Sequence, residues 1–163
     1  MDKQTLIDTA VETARAAQIR DDICSRSVLI GLQTICDDIS DEMITASLSL
    51  AAGTGAASGS CGAYCGGLLG VGMVHNHPYY EEIENPDLKM DAIIKLSEYR
   101  DKFLSQMGTV LCPEIHEKLF GRSYMFTDPI QQGEFLALEI HREKCAEVVV
   151  VATRIAAEMM LDI

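Results

Sequence analysis

Two cysteines one helical turn apart, within Cys61-Gly62-Ala63-Tyr64-Cys65-Gly66, put a pair of soft nucleophiles on one side of a segment whose glycines leave the neighbouring face bare. Thiols so placed either hold a soft metal or exchange electrons as thiol and disulfide. Cys61 follows Ser60 in the first turn of an expected helix, and Cys112 stands directly before Pro113, where a helix cap belongs. At a helix start, free amide groups and the positive end of the dipole favour thiolate over thiol, so both cysteines are candidates for nucleophile or ligand. Cys112 and His116 are four residues apart, as are His141 and Cys145, and each pair therefore places a thiol beside an imidazole on a helix face. His75-Asn76-His77 would point two imidazoles the same way in an extended segment. With no carboxylate or third histidine beside them, a solvated loop is the expectation there, and no metal is assigned. The competing reading for any one thiol is packing, because cysteine is a common small core residue.

The elements that must position these groups read as helices. Ile7, Val11 and Ala14 form one stripe between Thr5 and Gln18, and Cys24, Val28, Leu32 and Ile35 form the next. Ser40 caps a third helix with Asp41 and Glu42 in its first turn, ended by Gly53, and a loop leads from there to Ser60. No charged side chain occurs from Met43 to Val74, but eight of the twelve glycines fall in this run and Thr54, Ser58 and Ser60 interrupt it. Neither half supplies the roughly 20 apolar residues of a membrane span, so two short buried helices are expected. Gly62, Gly66 and Gly70 recur every four residues, each costing about 1 kcal/mol relative to alanine in a helix, which implies a close approach to that stripe.

Asn85-Pro86 opens a helix that runs to Met107 and stops at Gly108, and a shorter one runs from Pro113 to Phe120 and stops at Gly121. The last helix is expected from near Gly133 to the C-terminus, with Leu138, Cys145, Val148, Ala152, Ile155 and Met159 as its stripe. The four valines at 148–151 favour a strand locally, yet the helical spacing on either side outweighs them. The expected fold is all-α: a compact bundle of about six helices around a glycine-rich central helix, one domain spanning 1–163.

A chain of 163 residues with 48% apolar composition can bury a core without disulfide staples. Its charge of -12 and pI near 4.6 oppose binding to nucleic acid or to anionic membranes, and no basic patch offsets them. The polar start Met1-Asp2-Lys3-Gln4-Thr5 lacks a secretory apolar core, so a cytoplasmic protein is expected, without membrane insertion. In that compartment thiols stay reduced, so six cysteines call for a chemical explanation. Neither a phosphate-binding loop nor a dinucleotide fingerprint is present, which argues against nucleotide chemistry.

In this arrangement the chain resembles the redox-active proteins of the C-GCAxxC-C-C family, which are similar in length and centre on a Cys-Gly-Ala-x-x-Gly motif met by Cys61 to Gly66. The resemblance covers about 24–163 and implies that the family's four cysteines fall, in order, on Cys24, Cys61, Cys112 and Cys145, leaving Cys36 and Cys65 outside. A similar module accompanies split-Soret cytochromes, where an iron-sulfur centre is suspected. This chain has no Cys-x-x-Cys-His sequence, so haem is not implied.

Three functions follow as expectations. In the first, Cys24, Cys61, Cys112 and Cys145 converge on an iron-sulfur cluster that serves electron transfer or redox sensing with an unidentified redox partner. Zinc would take the same four ligands as a structural ion. In the second, no metal is bound, Cys61 is the nucleophile of thiol-disulfide chemistry and Cys112 or Cys65 resolves it. The third is a non-catalytic interaction module in which the glycine stripe and the apolar Leu68 to Val74 surface form a homodimer interface. A homo-oligomer is expected in any case.

Overall fold

Local signals fix most of the helix starts and stops in this computed structural model, which describes residues 2–162. Helix α1 (Lys3–Asp21) begins where the Asp2 carboxylate accepts from Thr5 N at 2.9 Å and ends where Asp22 turns left-handed at φ 59°. Helix α2 (Cys24–Gln33) follows at once. Ser40 caps α3 (Asp41–Ala46), which tightens into a 3-10 turn (Ser47–Leu50) instead of continuing to Gly53. Then come α4 (Gly62–His75), α5 (Tyr79–Glu84) and α6 (Pro86–Met107), the last capped by Asn85 and closed by Gly108 at φ 73°. Helices α7 (Cys112–Phe120), α8 (Pro129–Leu136) and α9 (His141–Met160) complete the chain.

The all-α expectation holds, with nine helices and a 3-10 turn among the described residues rather than about six. The main difference is the expected last helix, which is two. Phe135 on α8 packs into an aromatic group around His116, while α9 packs against α1, α4 and α2, and one straight rod cannot serve both. The break at 137–140 resolves that conflict, and Leu138 lies in it. The four valines are helical, with Val148 and Val149 buried in the core.

The core joins Ile7, Val11 and Ala14 of α1 to Val28, Leu29 and Leu32 of α2 and to Val149, Ala152, Ile155 and Ala156 of α9. The glycine stripe of α4 is where α2 lies against it. A methyl at Gly66 would stand 2.6 Å from the Ser25 carbonyl oxygen, and one at Gly62 would stand 2.5 Å from Cys24 Sγ. Among the described residues, no helix is long and apolar enough to cross a membrane. The most exposed apolar side chains, Tyr79 and Ile83 at 75%, stand on α5 outside the charge-free run.

A four-cysteine candidate site

The backbone itself brings Cys61 and Cys112 together. Cys61 N donates to Val110 O at 2.7 Å and Cys112 N to Gly59 O at 2.8 Å, flanking the isolated antiparallel pair Ser60 and Leu111. Residues on either side of such a pair send their side chains to one face of the ribbon. Cys61 is then the N-cap of α4 and Cys112 the first residue of α7. Cys24 is the first residue of α2, and Cys145 lies one turn into α9. All four line a single cavity of about 330 Å³, walled by Ala63, Ile115, Phe126, Phe135 and Val148. Their thiols are free, as are those of Cys36 and Cys65.

Within this group the charge settles on Cys24. Its sulfur accepts a hydrogen bond from the Cys61 thiol and faces the amides of Ala52, Ser25 and Cys24 itself, which together pull its pKa down to about 7 against the opposing effect of burial. Cys61, the donor, is held well above the usual thiol value by that bond and by burial. Burial pushes Cys112 up to about 12 and Cys145 well above the normal range, and the nearby Cys24 charge adds to both. At neutral pH Cys24 is thus the one of the four that ionises, about half of it as thiolate, while the other three stay thiols.

The Ala52 amide comes from an unusual backbone. Ala52, Gly53, Thr54, Gly55 and Ala56 are consecutive residues with φ from 55° to 79°. Each non-glycine residue in that region costs about 1–2 kcal/mol, and such strain concentrates at functional segments.

Cys112 Sγ lies 3.5 Å from His116 Nε2, so this thiol and imidazole do meet. The His116 ring is 3% exposed, stacks on Phe135 at 4.5 Å and 20°, and touches Phe120, Tyr124 and Phe126 at their edges. Burial lowers its pKa to about 4, with the Tyr124 backbone pulling slightly the other way, so the ring is neutral at pH 7. Among the described residues its Nδ1 has no partner in hydrogen-bonding geometry.

The other expected pair does not form. His141 Nε2 bonds Asp22 Oδ2 at 2.7 Å and its Nδ1 bonds Leu138 O at 2.6 Å, leaving Cys145 without it. Asp22 also accepts from Gln18 Nε2 at 3.1 Å, and Gln18, Asp22 and Arg142 line the cavity with polar groups. Sequence reasoning missed these polar groups; the only local hint was an acidic residue, Asp22, just past the end of the first apolar stripe.

Cys65 is half-buried beside Thr54 Oγ1 at 3.7 Å, outside the cavity lining, and burial raises its pKa. Cys36 packs against the core elsewhere. His75 Nε2 meets Met159 O at 3.1 Å, and His77 is exposed. Among the described residues, no three side chains of His, Cys, Asp or Glu close in as the shell of a single metal ion.

A family model described as "Putative redox-active protein (C_GCAxxG_C_C)" matches residues 23–159. Read letter by letter, the core of that pattern is Gly-Cys-Ala-x-x-Gly, whereas this chain has Cys61-Gly62-Ala63-Tyr64-Cys65-Gly66, with the first two letters exchanged. No curated protein and no solved structure matches the chain.

Proposed function

The chain belongs to the C_GCAxxG_C_C family of redox-active proteins, and from that premise we propose that Cys24, Cys61, Cys112 and Cys145 hold an iron-sulfur cluster. The observation that carries this reading is the convergence of four cysteines from four separate helices, three of them at helix starts, on one largely apolar cavity. Four thiolates are the usual ligand set of such a cluster, which supplies one-electron chemistry when bound. Zinc would take the same four thiolates as a closed structural site without redox chemistry.

The chain's own residues prepare the site. Cys24 is about half thiolate at pH 7, while Cys61, Cys112 and Cys145 release protons as they bind. The Ala52 and Ser25 amides face the Cys24 sulfur, and Phe126, Phe135 and Ile115 keep water from the wall. The test is anaerobic reconstitution with ferrous iron and sulfide, followed by iron and labile-sulfide analysis and visible absorption. The wild type should retain both and absorb in the visible, and serine at any of the four positions should sharply reduce retention. Cys36→Ser should leave it unchanged. A wild-type protein that retains no iron or sulfide sinks this reading.

A second reading is favoured by the Cys61-to-Cys24 hydrogen bond. In it the Cys24 thiolate attacks one sulfur of an external disulfide, forms a mixed disulfide and releases the first thiolate. The Cys61 thiol gives its proton to that leaving thiolate and attacks the Cys24 sulfur. This closes a Cys24–Cys61 disulfide and releases the second thiolate, with two electrons passed to the external disulfide. Cys24 here takes the attacking role first expected of Cys61, and Cys61 resolves. Peptide mapping after equilibration with a glutathione redox buffer should find the Cys24–Cys61 link, and its absence at every ratio counts against this chemistry.

A further inference from the structure

We propose that His116 is a positioning residue for Cys112, its ring held by the surrounding aromatic side chains so that Nε2–H donates to the Cys112 sulfur and tunes the redox potential of the four-cysteine centre. The inference rests on the reading of that centre given above, but its geometric half stands apart from any cofactor.

Two constraints select the tautomer. A neutral imidazole carries one proton. On Nδ1 that proton would lie near the Tyr124 backbone but, among the described residues, would find no acceptor in hydrogen-bonding geometry. A buried orphan donor is costly, whereas a free lone pair there costs less. On Nε2 the proton points at Cys112 Sγ, 3.5 Å away. The ring cannot turn away, since Phe135 stacks on one face while Phe120, Tyr124 and Phe126 stand around its edges. The sulfur is equally fixed, by the Cys112 N to Gly59 O bond and by its place at the start of α7.

A donor aimed at a ligand sulfur draws electron density from it and stabilises the reduced, more negative state of the centre, which raises its potential.

Two measurements test this separately. In metal-free, reduced protein, ¹⁵N–¹H correlation of the imidazole should show Nε2 protonated and Nδ1 bare, and Cys112→Ala should move the Nε2 resonance. A proton found on Nδ1, directed at the Tyr124 backbone, overturns the proposal whether or not a cluster assembles. In reconstituted protein, His116→Phe fills the aromatic space without the donor. It should lower the midpoint potential by an amount equal to about a tenfold change in the oxidised-to-reduced ratio, about 59 mV for one electron. His116→Gln, which restores an N–H, should recover part of that shift. An unchanged potential in His116→Phe with full iron content overturns the tuning role. Failure of the wild type to take up iron fails the cluster reading alone and leaves the resonance test to decide the tautomer.

Discussion

Replacing Cys61 with alanine removes the donor that favours the thiolate form of Cys24. With its pKa at about 7, Cys24 is about half ionised at pH 7. Without the Cys61 bond, its largest cause of lowering, the value rises toward the ordinary 9.0, where about 1% of the thiol is ionised at pH 7. Ionisation alone would slow attack on a disulfide about fifty-fold. A more basic thiolate is a better nucleophile, however, and with a Brønsted slope of about 0.4–0.5 the two-unit rise returns roughly six- to tenfold. The net expectation is a rate about five to eight times slower at pH 7 and about six to ten times faster above pH 9. The two pH profiles therefore cross.

The assay is the rate of mixed-disulfide formation at Cys24 with hydroxyethyl disulfide in metal-free protein, read residue by residue by quenching and peptide mass mapping from pH 5 to 10. A Cys24 profile unmoved by Cys61→Ala would refute the hydrogen-bond argument. So would a wild-type profile in which Cys61 reacts at lower pH than Cys24, since that would reverse the polarity of the pair.

His116 should also make stability fall in acid. Its folded pKa of about 4 lies below the ordinary 6.5, so the unfolded chain binds the proton first and stability drops as pH falls from about 7 to 4, by roughly 3 kcal/mol at 1.36 kcal/mol per unit. Urea unfolding at the two pH values should show a smaller drop in His116→Phe than in the wild type, and equal drops would contradict the buried neutral ring. Gly66→Ala gains about 1 kcal/mol of helix propensity but presses a methyl to 2.6 Å from the Ser25 carbonyl and 3.1 Å from Val28 Cβ. Overpacking costs about 1–3 kcal/mol, toward the upper end against backbone, so the melting temperature should fall by several degrees. Gly133→Ala, within α8 and with nothing within 4 Å, should raise it by about 2–4 °C. Calorimetry showing the same sign for both substitutions would refute the packing argument.

What could be read from the sequence was what local chemistry writes there. Asn85-Pro86 and Gly108 bound α6 because capping and left-handed closure are properties of a few adjacent residues. The glycine spacing of α4 announced a close neighbour, and α2 is that neighbour. The break at 137–140 was hidden because it answers a demand made by the rings around His116, set by residues from 116 to 135 that no helical period reports. His141 sits one turn from Cys145 as the spacing implied, yet its ring is taken by Asp22 from the far end of the chain. The acidity of Cys24 was equally out of reach. It depends on a proton shared with Cys61 and on an amide from Ala52, both of which exist only once α2 lies on α4.

That dependence on distant segments puts the site on a timetable. Cys24 and Cys61 belong to helices that pack on each other directly, while Cys145 arrives only with α9, which must dock on α1, α2 and α4. At about 5–20 residues per second, synthesis from position 61 to 145 takes roughly 4–17 s. Throughout that interval the α2–α4 pair can already bring a reactive thiolate beside a thiol, without the wall of Phe126, Phe135 and Val148 that later shields them. The nascent chain, rather than the finished one, is therefore the form most easily lost to a premature disulfide, and any cofactor must find a chain that has stayed reduced until its ninth helix is in place.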